Sequence, residues 1–127
     1  ADDIEAVAQR EQLTLDARVA RIRSQWSAVP LDGVTAIVVD DGLATGATAR
    51  VACLAARARG ARRVVLAVPV APHRWEQRMG DTADEYVAVA APRRMSAVGW
   101  VYRDFRPTSD AEVDDLLRRA VRRDGGP

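Results

Sequence analysis

The chain has 127 residues, 48% apolar and 29% charged, with a formal net charge of +1, which is the composition of one ordinary globular domain. A balance this close to neutral gives no electrostatic case for nucleic acid or a membrane surface as a partner, and no apolar run approaches the ~18 residues that a bilayer crossing needs. All 19 basic residues are arginine, which excludes lysine Schiff bases, Walker-type phosphate lysines and lysine general bases, and the single Cys53 excludes an internal disulfide or a multi-cysteine zinc site.

A first helix is expected from a cap at Asp2 or Asp3 to about Trp26, with Ile4, Val7, Ala8, Leu15, Val19, Ile22 and Trp26 mostly at helical spacing. Pro30 and Gly33 then break the chain. Val34 to Val39 reads as a buried strand whose continuous apolar run suits a parallel strand covered on both faces. A glycine-containing turn, Gly42 to Gly46, leads into a helix over about Ala47–Arg59, with Val51, Leu54, Ala55 and Ala58 as its inward stripe and Gly60 as its C-terminal cap. Val64 to Val70 is the next buried strand, and Pro69 points to an irregular end. His73 to Met79 reads as a short helix closed by Gly80, and Glu85 to Val89 as a third strand. Residues 92 to 107 carry no clean period. Ser109-Asp110-Ala111-Glu112 is a capping-box pattern opening a last helix with Val113, Leu116, Leu117, Ala120 and Val121 on one face.

Strand, helix, strand, helix, strand in this order implies a parallel α/β sheet flanked by helices. The expectation is a single domain over residues 1–127, with an N-terminal helix and linker over 1–30 and an α/β core with its C-terminal helix over 31–127. The chain begins on Ala1 rather than Met and ends Gly125-Gly126-Pro127, so it reads as a piece of a longer protein. With no secretory signal pattern in view, a cytoplasmic setting is the default expectation.

The chemistry concentrates in Val38-Val39-Asp40-Asp41-Gly42-Leu43-Ala44-Thr45-Gly46-Ala47-Thr48. In open α/β sheets ligands bind beyond the carboxyl ends of strands, which is where Asp40 and Asp41 fall. The Ala44 to Thr48 turn presents backbone N–H groups at a helix N-terminus, a geometry that cradles phosphate. Thr45 and Thr48 add hydroxyl donors, and Gly46 lets the backbone come close. Two adjacent carboxylates can accept hydrogen bonds from a vicinal diol, or hold Mg²⁺ directly or through water. A phosphate cup beside a diol clamp describes a ribose 5-phosphate site.

The segment Ala36 to Thr48 resembles the phosphoribosyl-diphosphate (PRPP) motif of type I phosphoribosyltransferases. Val64 to Pro72 looks like that fold's next strand and loop. Ala97-Val98-Gly99-Trp100-Val101-Tyr102-Arg103-Asp104-Phe105 resembles the closing region of a bacterial subgroup of uncertain acceptor. The resemblance implies a partial phosphoribosyltransferase-like fold, Asp40 and Asp41 on the ribose hydroxyls and Mg²⁺, and Ala44, Thr45, Gly46, Ala47 and Thr48 on the 5-phosphate. It implies transfer of the phosphoribosyl group from PRPP to a nitrogenous base or similar acceptor, with release of diphosphate. Two departures stand out. Ala44 occupies the place of an acidic residue in the 6-oxopurine enzymes, which argues against a hypoxanthine or guanine acceptor. The family's earlier glycine-rich diphosphate loop has no counterpart upstream of the motif. The competing reading is therefore a non-catalytic module that senses PRPP or a nucleotide, or a piece inactive alone.

Other residues carry plainer readings. The Asp pair as the acid pocket of a receiver domain would call for a lysine that the chain lacks. His73 reads as a surface residue, with a place beside diphosphate as the alternative. Cys53, Trp26 and Trp75 read as packing residues, and the arginine pairs, Arg93-Arg94 included, as solvated faces. Trp100, Tyr102 and Phe105 stay open between stacking a flat acceptor and packing under the last helix. An apolar motif strand with no neighbour upstream also implies self-association, so a homo-oligomer is the expected assembly.

Overall fold

A computed structural model describes residues 2–123, with side chains over residues 3–121. The caps expected at Asp2 or Asp3 and the Gly125-Gly126-Pro127 end lie at or outside those bounds. Helix α1 (Asp2–Gln25) leads to strand β1 (Thr35–Val39), helix α2 (Ala47–Ala58), strand β2 (Arg63–Val70), the short helix α3 (Trp75–Met79), strand β3 (Glu85–Ala90) and helix α4 (Asp110–Arg123). Single 3-10 turns lie at Gly80–Thr82 and Val98–Val101.

The strands form one parallel sheet in the order β1-β2-β3. Thr35 pairs with Arg63 through to Val39 with Ala67, and Val65 pairs with Glu85 through to Val70 with Ala90. Strand alternation then sorts the side chains by face. Val64, Leu66, Val68 and Val70 point into the core together with Ala36, Val38, Tyr86 and Ala88. Pro69 is exposed between the pairs Val68–Ala88 and Val70–Ala90, so its missing N–H falls at a gap in the recorded pairing.

α2 covers this face with Ala49, Cys53 and Ala56, all buried. The expected stripe is corrected: Val51 is 67% exposed and Leu54 55%, while Ala55 and Ala58 are also outside. Small side chains let the helix backbone lie close on the valine- and leucine-rich sheet, so the larger residues turn outward. Cys53 is fully buried, which pushes its thiol pKa up, and it acts as a small core residue. Trp75 is buried and meets Tyr86 edge-on at 5.3 Å, as its packing role requires. α3 starts at Trp75 rather than His73, because Arg74 adopts a left-handed conformation at φ 57°.

The opposite sheet face is bare among the described residues. Ile37 is 65% exposed, Val39 73% and Val89 88%. β1 is an edge strand covered on one face, so the expectation of cover on both faces is not met. At the foot of the sheet, Asp84 accepts hydrogen bonds from the Val64 N–H at 2.7 Å and from Arg57 at 2.8 Å. The Val64 amide and the Arg57 guanidinium hold its carboxyl below the usual range.

α4 opens on the expected capping box. The Ser109 N–H donates to Glu112 Oε2 at 2.8 Å, and the Glu112 N–H reaches back to Ser109 Oγ at 3.3 Å. α4 meets α1 through Arg21, which lies 3.3 Å from Asp110 and 3.4 Å from Asp114. The apolar stripe of α1 is largely outside, with Ile4, Val7, Leu15 and Val19 all exposed.

Candidate functional site

β1 ends at Val39, and its direction delivers Asp40 and Asp41 to the carboxyl edge of the sheet. The Asp41 N–H donates to Asp40 Oδ1 at 2.9 Å, which turns the chain sharply at the pair. Leu43 is buried, and its N–H donates to the Val70 carbonyl at 3.0 Å, pinning the loop to the end of β2. Gly46 stands before α2 at φ 80°, ψ 4°, a left-handed conformation that L side chains rarely take. A Cβ there would lie 2.7 Å from Met79 Sδ, so the close approach of α3 also demands glycine. Arg50 fixes that approach by donating to Thr82 Oγ1 and to the Arg78 carbonyl, each at 2.8 Å.

Beyond Gly46 the first turn of α2 leaves its leading N–H groups without intrahelical partners, at the positive end of the helix dipole. Thr45 Oγ1 takes only a long bond of 3.4 Å from the Ala47 N–H. The result is an open cleft of about 310 Å³ lined by Asp40 to Ala49 and Val98. The residues expected from the sequence on the ribose-phosphate, Asp40, Asp41, Ala44, Thr45, Gly46, Ala47 and Thr48, all line it. Two carboxylates face one end of the run and a helix N-terminus closes the other.

Val98 was not legible as a lining residue. The signal is Gly42, whose added Cβ would stand 2.6 Å from Val98 Cγ1 and 2.9 Å from Val70 Cγ1. This close approach brings the turn Val98–Val101 onto the motif loop. Tyr102 follows it and donates its hydroxyl proton to the Asp41 carbonyl.

A second cleft of about 350 Å³ adjoins the first and shares Asp41. Tyr102, Asp104, Phe105, Arg106, Pro107 and Thr108 complete it. The Tyr102 and Phe105 rings lie 4.9 Å apart at 38°. Arg106 is engaged by Glu112 through two bonds, of 2.6 and 3.1 Å. The Arg106 guanidinium, then the Ser109 N–H and hydroxyl, hold the Glu112 carboxyl down at about 2, and Glu112 in turn raises the Arg106 pKa. Of the three aromatic candidates, Tyr102 and Phe105 reach a cleft, whereas Trp100 is 80% exposed and lines neither. His73, Arg93 and Arg94 are also exposed and line neither cleft.

Among the described residues no group of three or more His, Cys, Asp or Glu is placed to hold a metal ion. The Asp40-Asp41 pair offers carboxylate oxygens suited to Mg²⁺, and a ligand's own oxygens and water would have to complete six-coordination. Among the described residues, no helix is long and apolar enough to cross a membrane.

Over 119 residues the chain is 47% identical to proteins of two Mycobacterium tuberculosis strains, CDC 1551 / Oshkosh and ATCC 25618 / H37Rv, each named "Putative phosphoribosyl transferase". The likeness is to phosphoribosyl transferases. The match takes in 94% of this chain and 27% of each relative, so the chain spans about a quarter of their length. The crystal structure of the protein TT1426 from Thermus thermophilus superposes with a TM-score of 0.79 at 36% identity, covering 91% of this chain and 55% of that one. No family model matches the chain.

Proposed function

We propose that this chain is the ribose-phosphate-binding part of a type I phosphoribosyltransferase, acting on PRPP with Mg²⁺. The observation that carries the reading is the cleft formed by the unbroken run Asp40 to Ala49, with a carboxylate pair and a helix N-terminus along one wall. The 5-phosphate seats on the N–H groups and hydroxyls of Ala44 to Thr48, and Asp40 and Asp41 accept hydrogen bonds from the ribose diol. Mg²⁺, held by the ligand's oxygens and Asp40 or Asp41 directly or through water, supplies charge neutralisation for the leaving diphosphate. The protein's own contribution is to bind and orient the ribose so that C1 faces the acceptor nitrogen. The names of the mycobacterial relatives support the transferase class.

A second reading has a specific observation behind it. Among the described residues no arginine or histidine lines the motif cleft, so that cleft itself presents no cationic side chain to a diphosphate. A module that binds PRPP without transferring its ribose fits this equally. Exchange of labelled diphosphate into PRPP, measured over a panel of bases, separates the two. Exchange with any base supports the transferase, and binding without exchange supports the sensor.

The homo-oligomeric reading is supported by the exposed apolar side chains Ile37, Val39, Val87 and Val89 on the uncovered sheet face, a kind of surface that partners cover.

A further inference from the structure

We propose that helix α1 is a self-association surface. Two copies of the chain pair antiparallel through it, and the acidic head of each helix seats in a basic apolar groove at the tail of the other. Such a pair rests on the homo-oligomeric reading and gives it a surface, and it is independent of the ribose-phosphate cleft.

The groove lies where the end of α1 meets α4 and the end of α2. It is open, with a volume of about 600 Å³, and Ile22, Trp26, Leu117 and Val121 line it beside Arg23 and Arg59. No carboxylate is among its described lining residues. Among the described residues neither arginine is in an ion pair. The indole N–H of Trp26 is buried with no hydrogen-bond partner among the described residues, and a buried donor left unpaired is costly. Apolar walls, two free cations and an unmet donor suit an apolar side chain flanked by carboxylates.

The head of α1 has that chemistry. Asp3 and Glu5 flank Ile4, and Val7 lies one turn on, all of them exposed. Carboxylates at a helix start also suit its dipole, but the dipole gives no reason for Ile4 to stand 79% exposed beside them. Charge is divided along the helix. Asp2, Asp3 and Glu5 come before the first cation, Arg10, whereas Arg18, Arg21 and Arg23 come after the last acid, Asp16. Ile4, Ala8, Leu15, Val19 and Ile22 join the two ends as a stripe at helical spacing. The helix has 24 residues and is about 36 Å long. Laid antiparallel with a two-fold axis level with Leu13, two copies set Ile4 level with Ile22, Val7 with Val19 and Asp3 with Arg23. The axis repeats each contact, so both heads meet both grooves in one step. A parallel pair would set acid on acid and arginine on arginine.

Sedimentation equilibrium of the 127-residue chain at micromolar concentration should show a dimer. Asp3→Arg with Glu5→Arg, and separately Arg18→Glu with Arg23→Glu, should each weaken that dimer at least tenfold, because like charges then meet at both ends. Mixing the two variants should restore it as a heterodimer, since every acidic end again faces an arginine end. Damage to the fold by either substitution would not be reversed by mixing. Leu15→Glu, at an exposed position of the single chain, should also dissociate the dimer and keeps the test alive if a charge-reversed helix misfolds. A dimer that persists in the folded variants, or charge variants that stay apart on mixing, overturns the α1 surface. If Ile37→Glu then dissociates the dimer, the bare sheet face holds the copies together and the homo-oligomeric reading stands without α1. A monomeric parent chain overturns that reading and the α1 surface with it.

Discussion

The Tyr102 hydroxyl donates to the backbone carbonyl of Asp41, joining two segments 61 residues apart in sequence at the rim of both clefts. The bond ties the aromatic segment to the second carboxylate of the motif without consuming that carboxylate. Tyr102→Phe removes the donor and leaves the ring. An exposed neutral hydrogen bond contributes about 0.5–1.5 kcal/mol, so the variant should stay folded, with a melting temperature only slightly lowered. Its affinity for ribose 5-phosphate should fall a few-fold as Asp41 loses its anchor. Calorimetric titration of the variant beside the parent checks this, and an unchanged affinity would show that the bond positions nothing.

Gly46 is constrained twice, by its left-handed backbone and by Met79 Sδ 2.7 Å from where a Cβ would go. Gly46→Ala should destabilise the chain by more than ~1 kcal/mol, and it should displace either the phosphate loop or α3. Denaturant unfolding gives the stability change. Ribose 5-phosphate binding should be lost even under conditions where the variant is folded.

Glu112 gives an acid-side signature. Its folded pKa of about 2 lies below its ordinary value of 4.5, held there by Arg106 and Ser109. A carboxyl depressed on folding adds stability that is fully present above pH 4.5 and lost as pH falls through about 2. The start of α4 should therefore fray across that window as the capping box and the Arg106 pair dissolve together. Amide exchange of residues 110–114 as a function of pH follows it directly. Glu112→Gln, which keeps the capping geometry but removes the charge, should flatten the dependence in that window.

The candidate cleft was legible because it is local. Ten consecutive residues, strand end to first helical turn, carry the carboxylates, the glycine and the hydroxyls, and no tertiary knowledge is needed to place them together. The capping box at Ser109 and Glu112 was legible for the same reason. What sequence could not supply were facts of packing. The stripe Val51, Leu54, Ala55, Ala58 and the stripe Ala49, Cys53, Ala56 both recur at helical spacing, and only the nearness of the sheet selects the smaller one. The run Val34 to Val39 reads the same whether a neighbour covers it or not, so its place at the sheet edge came from the strand order alone. The second cleft depends on Gly42 meeting Val98 and Gly99 meeting Phe105, close contacts with no periodic signal.

The proposed role of the run Asp40 to Thr48 is to hold PRPP by its 5-phosphate and ribose, with Mg²⁺ at the diphosphate. Thermal unfolding of the chain with millimolar PRPP and Mg²⁺ tests it most directly, because a ligand that binds only the folded state must raise the melting temperature. The expected result is a clear upward shift with PRPP and Mg²⁺, a smaller one with ribose 5-phosphate, and none with either in the folded Asp40→Asn, Asp41→Asn double variant. No shift with PRPP and Mg²⁺ in the folded parent chain, or an equal shift in the double variant, would contradict it.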